Sequence, residues 1–265
     1  MMGITHATSG AAAWIAVTGA MPMVTLGAYP LDPVGVLAGA AVCAGAALLP
    51  DADHHSATIA HSVPVLGRVV TGTVGLLSGG HRQGAHSAVA VAVVAVAAWA
   101  LTLLVIATEE VGTVAVGAGV GTAMLTCFGL KARDYVRTWA AAWGLGALLG
   151  LFVAVIAPEQ VAWFPLAVTV GFVAHLAGDF LTTGGLPGLF WPWVPRPPEV
   201  LHPVPVLNRI WMPNGYVALP LLGDTGSLRE AALGAVLGLY CVAGFAYEGM
   251  RMVGLDARLD ALPFG

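Results

Sequence analysis

The sequence predicts an all-α protein, a polytopic transmembrane helical bundle of about seven spans. Two observations predict it. Charged residues make up only 9 % of the 265, against roughly a quarter in soluble domains. Mean hydropathy is +0.86, and the apolar residues gather into uncharged runs long enough for a hydrocarbon core of roughly 30 Å. No internal repeat divides the chain, so residues 1–265 read as one integral-membrane domain. A net charge of −4 without a basic run argues against nucleic acid as a partner.

The runs fall near 9–28, 33–50, 86–108, 112–130, 138–157, 163–181 and 228–250. The first has no Lys or Arg ahead of it and so lacks the charged start of a cleavable signal peptide. Pro22 is placed to kink it. The second is short and rich in Gly and Ala; Gly35, Gly39 and Gly45, like Gly117 and Gly121 of the fourth, allow close helix approach. A milder apolar stretch at 63–77, interrupted by Arg68, reads as an interfacial or re-entrant helix. The segment 182–227, rich in Pro, Gly and Trp, reads either as a folded cap at headgroup level or as a plain surface loop. Cys43, Cys127 and Cys241 all lie inside apolar runs, far apart, and read as small buried side chains rather than disulfides or thiolate ligands.

Loop charge sets an orientation. The connections at 29–32, 109–111 and 158–162 carry only the acids Asp32, Glu109, Glu110 and Glu159. The opposite loops carry Arg68, Arg82, Lys131, Arg133, Arg137, Arg196 and Arg209, with Arg229 opening the last run; only Arg251 and Arg258 fall on the other side. By the positive-inside rule the amino terminus and the long loops 51–85 and 182–227 are cytoplasmic.

The histidines are not scattered. His6 precedes the first run, Asp51, Asp53, His54, His55 and His61 follow the second, His81 and His86 precede the third, and His175 with Asp179 closes the sixth. All stand at the same predicted end. Neutral imidazoles with carboxylates are the donor set of a hydrolytic metal site, so we expect a metal centre at the cytoplasmic membrane face.

Four residues apart on a helix, His175 and Asp179 rotate roughly 400° and share a face. An ionisable pair in a membrane helix is costly and functional by default, although a hydrogen-bonded packing pair is the alternative. In Pro50-Asp51-Ala52-Asp53-His54, alternating carboxylates can converge on one ion; Asp51 and His54 are the expected ligands, with Asp53 a ligand or general base. His81 and His86 stand five apart in a segment loosened by Gly79, Gly80 and Gly84. Between them Arg82 offers a planar fork suited to phosphate or carboxylate. Ser87 reads as a helix cap, not a nucleophile. On spacing alone His6 is ligand or bystander in equal measure. His55, His61 and His202 read as bystanders or neighbours of the ligands, and Glu248 with Arg251 as a pair on the far side.

These motifs resemble the YdjM-like family of predicted inner-membrane metal-dependent hydrolases. The resemblance rests on Thr5-His6 with Gly10, on Leu49-Pro50-Asp51-Ala52-Asp53-His54 and on His81-Arg82 to His86-Ser87. It continues through His175-Leu176-Ala177-Gly178-Asp179-Phe180-Leu181-Thr182, Gly185-Leu186-Pro187 and Trp191-Pro192, so it covers residues 3 to 193 in order. It implies an inner-membrane location and points to His6, Asp51, Asp53, His81, His86, His175 and Asp179 as ligands. The family pattern runs histidine, arginine and glycine together and then a threonine before the second histidine; here Gln83 precedes Gly84 and Ala85 stands in place of the threonine, and the segment after Trp193 is individual. The His-x-x-x-Asp layout is also loosely similar to that of zinc-dependent phospholipases C and related nucleases, an analogy of site rather than fold.

The expected function is membrane-bound hydrolysis using one or two divalent metals, Zn²⁺ first and Mn²⁺ or Fe²⁺ as alternatives. The metal would activate water, with Asp53 and Arg82 in catalytic roles, the latter against developing negative charge. The candidate ligands outnumber the three or four that one zinc takes, which favours two ions. A site at headgroup depth among membrane lipids suits an amphiphilic, phospholipid-like phosphoester. A divalent-metal transporter would place ionisable residues deep in several spans and on both faces, a pattern the sequence lacks. A metal-stabilised scaffold would need only a closed set of four ligands.

Overall fold

The computed structural model describes residues 1–157, 160–187, 191–201 and 203–255; Glu159, His202 and Arg258 lie outside them. The helices are α1 (Gly3–Thr18), α2 (Pro33–Ala46), α3 (Leu66–Leu77), α4 (Ala88–Thr102), α5 (Val116–Ala132), α6 (Trp139–Ile156), α7 (Gln160–Phe180), α8 (Pro205–Ile210) and α9 (Leu228–Met252). Short 3-10 turns at Pro50–Asp53, Thr58–His61 and Gly84–His86 link α2 to α4 around α3.

Their ends follow local chemistry. Asp32 Oδ1 accepts from Gly35 N at 2.8 Å, and Pro33 opens α2. Ser87 caps α4 as expected, accepting from Ala90 N at 3.3 Å. Thr138 and Ser227 do the same for α6 and α9.

Four helices are long and apolar enough to cross a membrane, Pro33–Asp53, Trp139–Ile156, Ala162–Phe180 and Leu228–Met252. Four of the seven expected spans are thus matched by helices of that length among the described residues, and Ala88–Thr102 and Val116–Ala132, in two of the other runs, are apolar but shorter, as is Leu66–Leu77. The run 9–28 departs most. Its helix begins at Gly3, so His6 lies within α1, and it stops at Thr18, leaving Pro22 beyond the helix rather than kinking it. Residues 26–31 fold back over the last turn of α1: Leu26 N donates to Ala16 O, Tyr29 N to Val17 O and Leu31 N to Thr18 O. Those bonds satisfy carbonyls that a helix end leaves open. The runs 86–108 and 112–130 are trimmed where they meet, because Ile106–Thr108 and Gly112–Val114 pair as an antiparallel hairpin, Ala107 opposite Thr113. The bundle is otherwise helical.

At the centre lies α2, against α1, α5, α7 and α9. Its small residues decide this. A β-carbon on Gly45 would strike the Leu125 carbonyl of α5, and one on Gly39 the Trp14 indole of α1. The Trp14 Nε1 donates to Gly35 O at 3.2 Å, and Trp14, Ile15, Val36, Val42, Trp163 and Phe164 are fully buried around it. All three cysteines are buried and free, as read. Within 63–77 the helix α3 begins at Leu66 and packs on the turns at 50–53 and 58–61. The described residues of 182–227 are tied across the segment: Leu186 and Val217 exchange hydrogen bonds at 3.0 and 2.9 Å, and Thr183 N donates to Gly223 O at 3.0 Å, as in a folded cap.

Candidate metal centre

Chain direction brings the start of α1, the turn after α2, the turn before α4 and the last turn of α7 to one end of the bundle. His6, Asp51 with Asp53, His86, and His175 with Asp179 meet there. His6, His86, His175 and Asp179 are fully buried, and Asp53 nearly so.

Donor atoms converge tightly. His86 Nε2 lies 3.2 Å from His175 Nε2. Both stand 3.7 Å from Asp51 Oδ1 and 3.6 Å from Asp179 Oδ2. His6 Nε2 is 3.3 Å from Asp179 Oδ1, and its ring stacks on that of His175 with centroids 3.6 Å apart. On the outer side His86 Nδ1 is 3.3 Å from Asp53 Oδ2, and His81 Nδ1 is 2.8 Å from Asp53 Oδ1. Three overlapping groups could each hold a metal ion: His6, His175, Asp179; Asp51, His86, His175; and Asp51, Asp53, His81.

The residues fit a divalent cation on two counts. First, His6 Nδ1 and Nε2, His86 Nδ1 and Asp179 Oδ2 are buried without a hydrogen-bond partner among the described residues, a state that costs about 1–3 kcal/mol per group unless something else satisfies it. Second, donors bound tetrahedrally at about 2.0–2.2 Å stand roughly 3.3–3.6 Å from one another, close to the separations of His86 Nε2 and His175 Nε2 from each other and from the two aspartates. His175 is also held in the tautomer a ligand needs. Its Nδ1 is 2.7 Å from Ala47 O, a carbonyl that can only accept, so Nε2 carries the free lone pair.

Arg82 closes the site. Its backbone is left-handed, φ 57°, which turns its N–H onto Asp53 Oδ2 at 2.9 Å and its Nη2 onto Asp179 Oδ1 at 3.0 Å. The Met1 amino group also donates to Asp179 Oδ1. Above them opens a cavity of about 620 Å³, the more polar of those beside the site, lined by Asp51, His54, His81, Arg82 and Thr183 together with Met2 and Leu48.

Of the predicted ligands, His6, Asp51, Asp53, His81, His86, His175 and Asp179 supply the donors of these groups, and His54 lies beside them, its ring centroid 4.7 Å from that of His81. It belongs to none of the three groups. The 50–53 turn ends before it and sends its ring to the rim, where Nδ1 lies 2.7 Å from Ser56 Oγ. His55 and His61 are exposed beyond it. Glu248 pairs with Arg251 at 2.5 Å, as read, and also accepts from Ala20 N.

Three contributors escaped the sequence reading. The Ala47 carbonyl has no side-chain signal. Gly184 has one, a glycine pair after the His175–Asp179 motif: a β-carbon there would strike the Arg82 guanidinium. Tyr216, from the cap, feels the charges of Arg82 and Asp53; burial pushes its phenol up, so it stays a neutral O–H.

No curated protein and no solved structure matches the chain. A match over residues 1–251, nearly the whole chain and all of the residues that converge on this site, shows that the chain belongs to the YdjM inner membrane protein family.

Proposed function

We propose that the protein is a membrane-embedded hydrolase that uses one or two divalent metals, zinc first, to cleave a phosphoester of a lipid-like substrate. The observation that carries this reading is the set of buried, mutually close donors His86 Nε2, His175 Nε2, Asp51 Oδ1 and Asp179 Oδ2 beneath a polar cavity. These four would hold one cation, and His6 with Asp179 Oδ1 stands beside them toward a second. When bound, the metal polarises the phosphoryl group and lowers the pKa of water. Asp53 orients His81 and the Arg82 backbone, and its role in the reading is that of a general base acting beside them. Arg82 swings from Asp179 to the phosphoryl oxygens, which its fork binds bidentately. Water adds to phosphorus, the ester P–O bond breaks, and the products are an alcohol and a phosphate.

We place the site on the cytoplasmic side. Arg133, from the basic α5–α6 connection, donates from Nη1 to Thr8 Oγ1 at 2.6 Å, two residues from His6. The positive loops therefore share the site's end of the bundle, and positive loops face inward. Metal transport fits less well. Outside the site the buried acids are Glu230, held by Met2 N and Gly226 N at the same end, and Glu248, paired with Arg251, among the described residues. These do not make a path.

The test is elemental analysis of tag-free, detergent-purified protein beside a His175→Ala/Asp179→Ala variant, followed by a phosphoester screen. One or two equivalents in the parent, little in the variant, and metal-dependent phosphate release are expected. A parent that stays metal-free after reconstitution with zinc, manganese and iron overturns the reading.

A further inference from the structure

A second cavity, of about 600 Å³, lies between α3 and α4 with α5, α6 and α7 behind it, a size usual for small-molecule sites. Its wall is hydrocarbon, including Ile59, Leu66, Val70, Val93, Phe128 and Phe172, and no charged side chain lines it among the described residues. Several polar groups in that wall are tied to the protein's own backbone: Ser62 Oγ donates to Ile59 O at 2.7 Å, Ser78 Oγ to Gly75 O at 3.3 Å and Trp143 Nε1 to Ser62 O at 2.9 Å. What enters is matched by apolar contact, so the fitting ligand is an alkyl chain.

Two further features say whose chain it is. The inner end of the cavity abuts the metal centre. Ala52 lines it while its neighbour Asp51 lines the polar cavity, so the 50–53 turn separates the two. Gly84 and Ala85 line it just before His86, and Phe172 lies one turn before His175. The outer rim is open and apolar: Val70, Leu77 and Val93, on α3 and α4, are 43, 74 and 62 % exposed. Polar cavity, metal ligands and apolar groove thus follow one another in the order headgroup, ester, tail.

We propose that this groove takes the hydrocarbon chain of a membrane-resident phosphoester, which passes between α3 and α4 from the bilayer while its headgroup meets Arg82 in the polar cavity. The assignment rests on the hydrolase reading for the identity of the headgroup chemistry, but the groove can be tested without turnover.

The experiment places the full chain in phosphatidylcholine liposomes containing phosphatidic acid with a diazirine on one acyl chain. After irradiation the labelled residues are mapped, and phosphate release and bound metal are measured on the same samples. Labelling is expected to concentrate on α3, α4 and the groove-facing residues of α5 and α7. It should fall about tenfold in Val93→Trp and in Val70→Trp, which fill the groove from its rim, with metal content unchanged. Leu148→Trp, on an exposed stretch of α6 outside the groove, should label like the parent. Labelling spread evenly over the apolar helices, or unchanged by Val93→Trp in well-folded protein, overturns the proposal. Groove labelling without phosphate release keeps the groove and sinks the hydrolase reading. Phosphate release with evenly spread labelling does the reverse.

Discussion

Asp179 joins the inner part of the centre: Oδ1 faces Arg82 and His6, and Oδ2 faces His86 and His175. Asp179→Asn keeps the shape and removes the charge. We expect metal affinity to fall at least about 100-fold while membrane insertion persists; elemental analysis and carbonate extraction read the two separately. Unchanged metal content would remove Asp179 from the ligands. Arg82→Ala should retain metal and lose turnover by about 10²–10³-fold. Gly184→Ala, which pushes on the same guanidinium, should move turnover in the same direction by less. Full turnover in Arg82→Ala would leave that side chain a structural contact. Protons compete with metal at this site, because imidazole binds only when neutral and carboxylate only when ionised. Metal affinity should therefore decline as pH falls below neutrality, seen as earlier metal loss in dialysis at pH 5 than at pH 7.5.

The elements matter through where they end. Helices α1, α2, α4 and α7 each bring a terminus to the centre, and α2 supplies both Asp51, just past its end, and the Ala47 carbonyl that orients His175. Its seating depends on Gly45, whose absent β-carbon lets α5 come into backbone contact. Gly45→Val should cost about 1–3 kcal/mol by overpacking, visible as a lower unfolding midpoint in detergent, and should loosen metal binding with it. A variant with unchanged midpoint would show that α2 and α5 can separate without cost. The α1 end was misread because apolarity continues past Thr18, whereas the bonds that stop the helix come from residues 26–31. The α4–α5 boundary was misread for a similar reason, since a hairpin of exposed apolar residues looks like more helix.

At the scale of the whole molecule, Asp51, Asp53 and Asp179 face Arg82 and the Met1 amino group at one end, three carboxylates against two cationic groups, an excess of negative charge that a metal ion would offset. Metal binding to the folded state alone should stabilise it by about 2.7 kcal/mol when metal is near 100 times its Kd. Chelation should then lower the unfolding midpoint, and zinc should restore it. A midpoint indifferent to chelator, in protein shown to carry metal, would mean that the centre is not coupled to the fold.

Composition alone determined that this is a helical membrane protein, because so few charges and such long apolar runs leave no other solvent for the chain. The order of the His and Asp motifs determined its family and seven of the converging side chains, because short-range patterns on helix ends are readable without a fold. Tertiary structure decided the rest. It placed His54 beside the donors rather than among them, its ring against that of His81, since the 50–53 turn ends before it. It also decided which apolar runs are long enough to cross, because helix ends are set by hydrogen bonds from distant segments. Only packing, finally, opened the groove beside the ligands, for a cavity is the space between elements and no single segment encodes it.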